Sequence, residues 1–187
     1  MHVNHELRWY HGYNSSLVDD FLIGGRKMRK FEKISFEQFK KDVSDDLELY
    51  NLYELPKRST KKSAGYDICS LIEYNLIPGD SIFIPTGLKC SLPDDEMLMI
   101  ASRSSFGYKY NVRLVNGVGI IDADYYNNES NEGHFSVKLQ NHGQEDLKIN
   151  IGDRVAQGIF LKYYTTDDEE EIKTKRKGGI GSTGKGE

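Results

Sequence analysis

Asn116 to Tyr125, NGVGIIDADY, brings an amide, two glycines, two carboxylates and a phenol close together. Leu114 and Val115 precede this stretch and Ile120 and Ile121 lie inside it, so a glycine turn between apolar runs predicts a β-hairpin with a tight tip. Asn116 then sits at the base of the tip, while Gly117 and Gly119 allow unusual backbone angles and close approach of another molecule. On a returning strand Asp122 and Asp124 share one face, which carries negative charge rather than core. Bare amides, one amide side chain and a nearby carboxylate can hold a flat polar ring and activate a water beside it. The plain alternative is a loop with solvated acids.

Four more stretches carry polar chemistry. Ser63-Ala64-Gly65-Tyr66-Asp67 sets small residues before a carboxylate, which suits close backbone approach or a simple turn. Ser102-Arg103-Ser104-Ser105-Phe106-Gly107 puts a guanidinium beside hydroxyls after an apolar run. That set can bind phosphate oxygens, and it can equally be the start of a capped helix. In Arg154-Val155-Ala156-Gln157, strand alternation places Gln157 on the face of Val155, where a buried amide needs a partner. Lys175-Arg176-Lys177-Gly178-Gly179-Ile180-Gly181-Ser182-Thr183-Gly184 follows cations with exposed backbone donors and hydroxyls. It suits a polyphosphate clamp that orders on binding, or an inert terminus. Two commoner motifs fail. The Walker A spacing from Gly179 to Lys185 has Gly186 where Ser or Thr is required, and a calcium loop opened at Asp122 has Gly133 where a bidentate Glu is needed.

The elements that position these residues are mostly short strands. Tyr66–Leu71, Ser81–Ile84, Leu88–Leu92, Met97–Ser102, His134–Asn141 and Arg154–Tyr163 are each bounded by Gly, Pro, Asn or Asp, which predicts a sandwich, jelly roll or barrel. Pro78-Gly79-Asp80 and Pro93-Asp94-Asp95 read as turns. Earlier in the chain, Ser35 and Gln38 have capping-box spacing, and Phe36, Phe39, Val43 and Leu47 recur at helical intervals. One amphipathic helix over roughly 36 to 48 is expected, packed on the main domain as an appendage. The expected organisation is an N-terminal extension (1–55), a β domain (56–166) and a flexible glycine-rich tail (167–187). Residues 1–27 read either as a native arm or as added sequence with Met28 as an alternative start.

The 187 residues suffice for one domain with a full core, and the net charge of −4 argues against phosphate-driven nucleic-acid binding. No apolar run reaches membrane-spanning length and the N-terminus lacks the pattern of a signal peptide, so a cytosolic protein without membrane or nucleic-acid partners is expected. Cys69 and Cys90 are isolated and read as buried free thiols.

Taken in chain order the five stretches resemble the motifs of the trimeric dUTP pyrophosphatases (dUTPases), over residues 63 to 184. The resemblance implies a jelly-roll-like β-barrel, a homotrimer with active sites shared between chains, and Mg²⁺-dependent hydrolysis of dUTP to dUMP and pyrophosphate. It makes Asp122 the general base for the water that attacks the α-phosphorus. It places Tyr125 under the deoxyribose, where it crowds out a 2′-hydroxyl, and it has Asn116 and the backbone near Gly119 read uracil. Arg103, Ser104 and Ser105 become phosphate ligands, and Asp67 and Gln157 hold the water shell of a triphosphate-chelated Mg²⁺. The tail, with Ile180, Gly181, Ser182 and Thr183, folds over the nucleotide.

The chain departs from the family pattern in several places. Ser105 replaces a glycine, and Ile180 stands where an aromatic residue is usual. Lys175 occupies the usual Arg position with Arg176 next to it; Arg176 is the expected γ-phosphate ligand because its fork suits phosphate better. Asn127 to Glu132 makes a longer loop after Tyr125. A dCTP deaminase, the nearest rival, needs a Glu where Lys138 precedes Asn141. A second rival is a catalytically weak nucleotide-binding or regulatory homologue, suggested by Ile180 and the extra N-terminal helix.

Overall fold

The computed structural model describes residues 22–23, 26–172, 176 and 179. The expectations for residues 1–21, Lys175, Ile180, Gly181, Ser182 and Thr183 fall outside that set. Strands β1 (Leu22–Ile23), β2 (Arg26–Lys27) and β3 (Lys30–Lys33) lead into helices α1 (Phe36–Asp42) and α2 (Leu47–Leu52). Then come β4 (Tyr66–Cys69), β5 (Tyr74–Leu76), β6 (Ser81–Ser91) and β7 (Glu96–Ser102), followed by helix α3 (Ser104–Tyr110). β8 (Val112–Leu114), β9 (Gly119–Asp122), a single 3₁₀ turn (Ala123–Tyr125), β10 (Phe135–Asn141), β11 (Leu147–Ile149) and β12 (Arg154–Lys162) complete the described elements.

Two antiparallel four-stranded sheets, ordered β3-β6-β10-β8 and β4-β12-β7-β9, enclose one core, giving a jelly-roll-like β fold. Alternation builds that core from both sides. Phe135, Val137 and Leu139 point inward from β10, and Leu98 and Ile100 point inward from β7. Cys90 is buried and Cys69 half-buried; both are free, and burial pushes both thiols up from their ordinary value.

Three local expectations are corrected. The first concerns the hairpin. The strands flanking Asn116 do not pair with each other: Leu114 is opposite Leu139 of β10, whereas Gly119 is opposite Ile100 of β7. The chain arches from one sheet to the other because their ladder bonds go to different neighbours, and the arch closes through Gly117 N to Leu114 O (3.1 Å) and Val118 N to Asn116 O (2.8 Å). Consequently Asp124 sits on the 3₁₀ turn instead of alternating along β9 with Asp122.

The second concerns the expected break between Ile84 and Leu88, where β6 in fact runs on as one strand. Thr86 and Gly87 form a bulge where the register to β10 jumps from Ser136↔Pro85 to Phe135↔Leu88. Gly87 has φ +70°, and Thr86 Oγ1 donates to Phe135 O while accepting from Leu88 N. The third is the single helix over 36–48. α1 ends at Asp42 with Val43 as its C-cap, and Asp46 caps a new helix by accepting from Leu49 N (2.9 Å). Ile34, Phe39 and Leu71 form a small second core beneath these helices, with Phe39 stacked on Tyr53 at 5.6 Å.

Candidate active site

The expected site residues that the structure describes fall into two separate clefts of this chain. The larger, about 700 Å³, is lined by Asn116, Gly119, Asp122 and Tyr125, with Arg176 and Gly179 from the tail. The arch between the sheets creates it, because the chain leaves β8 at Leu114 and rejoins at Gly119. A Cβ built on Gly119 would lie 3.2 Å from Ile100 Cβ and 3.8 Å from Asn116 Nδ2, so the amide group hangs directly beside bare backbone. Tyr125 is buried, and its hydroxyl donates to His134 O at 2.9 Å.

Asp122 and Asp124 still converge, through a shared partner rather than a shared strand face. Arg176 Nε donates to Asp124 Oδ1 at 2.8 Å, and its Nη2 donates to Asp122 Oδ2. The guanidinium also lies 5.8 Å from the centre of the Tyr125 ring. Arg176 therefore sits on the carboxylates and not with Arg103, Ser104 and Ser105.

Those three residues line the second cleft, about 420 Å³, with Ser59, Gly65, Asp67 and Gln157. Asp67 and Gln157 are direct partners across β4 and β12, which brings their side chains out side by side. Asp67 accepts from Ser59 Oγ (2.6 Å) and pairs with Arg103 Nε (3.2 Å) and Arg154 Nη1 (3.3 Å). Gln157 Nε2 donates to Ser102 O (3.1 Å), which supplies the partner that a half-buried amide needs. Strict alternation around Gln157 fails, since a bulge between Arg154 and Ala156 buries Val155 and Ala156 together. Ser104 and Ser105 open α3 and are exposed, and no side chain caps that helix start, so its first amides remain open to an anion.

Among the described residues no three His, Cys, Asp or Glu are grouped to hold a metal ion. One carboxylate beside one amide does fit a Mg²⁺ that keeps most of its waters and takes its remaining oxygens from phosphates. Sequence reasoning missed Ser59 beside Asp67 and the pairing of Arg154 with Asp67, and it missed Gln38, Asp42, Asn131 and His134 around the larger cleft. The i, i+4 spacing of Gln38 and Asp42 is the one signal that could have placed two of them on a common polar face of α1.

The dUTPase family model matches residues 52–184. The deoxyuridine 5′-triphosphate nucleotidohydrolase of Lactococcus lactis is 46% identical over 131 residues, spanning 70% of this chain and 87% of that protein. That of Haemophilus influenzae is 36% identical over 147 residues, spanning 75% and 93%. The crystal structure of the Streptococcus mutans dUTPase superposes with a TM-score of 0.61 at 33% identity, covering 74% of this chain and 99% of that one. With the family model spanning the expected residues of both clefts and relatives this similar, the chain belongs to the dUTPase family.

Proposed function

We propose that this protein hydrolyses dUTP to dUMP and pyrophosphate in the cytoplasm, as a Mg²⁺-dependent homotrimer with Asp122 as general base. The observation that carries this reading is the convergence of Asn116, Gly119, Asp122 and Tyr125 on one cleft. Asn116 and the amides of the arch read the polar edge of uracil, and cytosine, with donor and acceptor exchanged, leaves buried groups unpaired. Tyr125 lies under the deoxyribose and leaves no room for a 2′-hydroxyl. Asp122 takes a proton from water as its oxygen bonds to the α-phosphorus, and the bond to the bridging oxygen breaks to release pyrophosphate.

Phosphate oxygens are held by Arg103, Ser104, Ser105 and the open amides of α3. Mg²⁺, when bound, neutralises triphosphate charge, and Asp67 and Gln157 hold its waters. Arg176 pairs with both Asp122 and Asp124. A triphosphate offers this guanidinium more negative charge, so binding draws Arg176 toward the γ-phosphate and uncovers the base. The tail, including Lys175, Ile180, Gly181, Ser182 and Thr183, then closes over the nucleotide and excludes bulk water.

Pyrophosphate release from dUTP with Mg²⁺ tests the reading. Asp122→Asn keeps dUTP binding and loses about 10²–10⁴-fold in kcat, the usual contribution of a positioned base. Turnover near that of the unaltered protein would remove Asp122 from the mechanism.

A further inference from the structure

α1 (Phe36–Asp42) precedes the stretch matched by the family, yet Gln38 and Asp42 line the same cleft as Asn116, Asp122 and Tyr125. The contact that brings them there is specific. Asp42 Oδ2 lies 2.6 Å from His134 Nδ1, and the opposite ring nitrogen, Nε2, accepts from Gly87 N at 2.9 Å. Because Nε2 accepts, the proton is on Nδ1 and is donated to Asp42. The imidazole, with only 3% of its side chain exposed, is fixed in tautomer and orientation from both sides.

The backbone carbonyl of the same residue holds the tyrosine. His134 O accepts from Tyr125 Oη (2.9 Å) and from Asn131 Nδ2 (2.9 Å), and Asn131 Nδ2 also bonds Tyr125 Oη. A second anchor ties the intervening loop to the start of α1: Glu132 accepts from Ser35 N (2.9 Å) and Ser35 Oγ, and Lys89 pairs with it. Gly87, at φ +70°, joins the two sides. Its amide holds His134, while its carbonyl accepts from Ile34 N (3.0 Å) and Tyr53 Oη (2.7 Å).

We propose that Asp42, acting through His134, is a positioning residue for Tyr125, so that the N-terminal extension sets discrimination between deoxyribose and ribose triphosphates. This inference rests on the dUTP reading above. The Tyr125 ring is held by its hydroxyl, and the residue whose carbonyl accepts from that hydroxyl is anchored through its imidazole by Asp42. Removing Asp42 leaves the imidazole held from one side only, by Gly87 N, and lets the ring shift, which opens space for a 2′-hydroxyl without touching the base or the attacking water.

The experiment measures kcat/KM for dUTP and for UTP by pyrophosphate release, using the full chain. Asp42→Ala is expected to lower the dUTP:UTP ratio about tenfold to a hundredfold, the scale of a small misplacement in a closed site. Most of that change comes from better use of UTP. Asp42→Asn, whose carbonyl still accepts from His134, restores the ratio. Glu132→Ala cuts only the second anchor and moves the ratio in the same direction by a smaller factor; should Asp42→Ala fail to fold, this variant decides the matter. A folded Asp42→Ala or Glu132→Ala protein with an unchanged ratio would overturn the proposal. An unaltered protein that hydrolyses neither nucleotide would sink the dUTP reading itself, and this inference with it.

Discussion

Gly65 leaves no room for a side chain. A Cβ built there would lie 2.3 Å from Gln157 Oε1 and 3.1 Å from Gln157 Cδ. The absence of a methyl group is what lets β4 carry Asp67 past Gln157 while that amide stays bonded to Ser102 O. Gly65→Ala must therefore push the amide off its acceptor, at a cost of about 1–3 kcal/mol from overpacking and the broken bond. The effect runs through a single neighbour, so it is non-additive with removal of that neighbour. In a Gln157→Ala background, where only the Cβ of that residue remains at 3.2 Å, the same substitution is expected to cost clearly less. Urea unfolding of the four proteins in the cycle measures this coupling, and additive losses would show that Gly65 serves something other than the amide.

At the scale of elements, what the sequence made legible was local. Pro78-Gly79 does turn the chain, with Asp80 N bonded to Ile77 O (3.1 Å), and Pro93 does the same through Glu96 N (3.1 Å). What could not be read depended on partners distant in the chain. Leu114 and Ile120 look like the two arms of a hairpin, but β10 and β7 claim them separately. Pro85 and Gly87 look like a strand break because the bulge that absorbs them is opposite Phe135 and Ser136. The long loop after Tyr125 could be counted in the sequence, whereas its attachment to α1 could not. That attachment has a pH signature. Burial pushes His134 below its ordinary value of 6.5, while the Asp42 bond and charge and the Glu132 charge oppose the shift without reversing it. The folded protein thus holds His134 neutral where the unfolded chain would protonate it. Its contribution to stability is full above pH 6.5 and is lost as pH falls below that value. The slope from this one group is at most about 1.4 kcal/mol per pH unit. Urea titrations between pH 7.5 and pH 5, in steps of about half a unit, should show this decline and should show it reduced in His134→Gln. An equal decline in both proteins would assign the acid sensitivity elsewhere.

Among the described residues none lines both clefts, so the group proposed to activate water and the groups proposed to hold phosphate open onto different spaces. Around the larger cleft Phe83, Val115 and Ile120 are each about half exposed, an apolar rim that a second copy would cover. Both facts agree with a site completed between chains, in which the Asp122 cleft of one copy meets the Arg103 cleft of the next in a closed ring. That arrangement has a consequence that a self-contained site lacks. Asp122→Asn disables the first cleft and leaves the second intact, and Arg103→Ala does the reverse. Each variant alone is expected to be nearly inactive. When the two are unfolded and refolded together in equal amounts, a working site forms wherever an intact Asp122 cleft meets an intact Arg103 cleft. Random assembly of a cyclic oligomer gives about a quarter of the sites in that state. Recovery of that share of dUTP hydrolysis on co-refolding, absent when the two proteins are refolded separately and then mixed under conditions that prevent exchange, would place catalysis at the junction between chains. No recovery on co-refolding, with both variants folded and assembled, would require each chain to build its site alone.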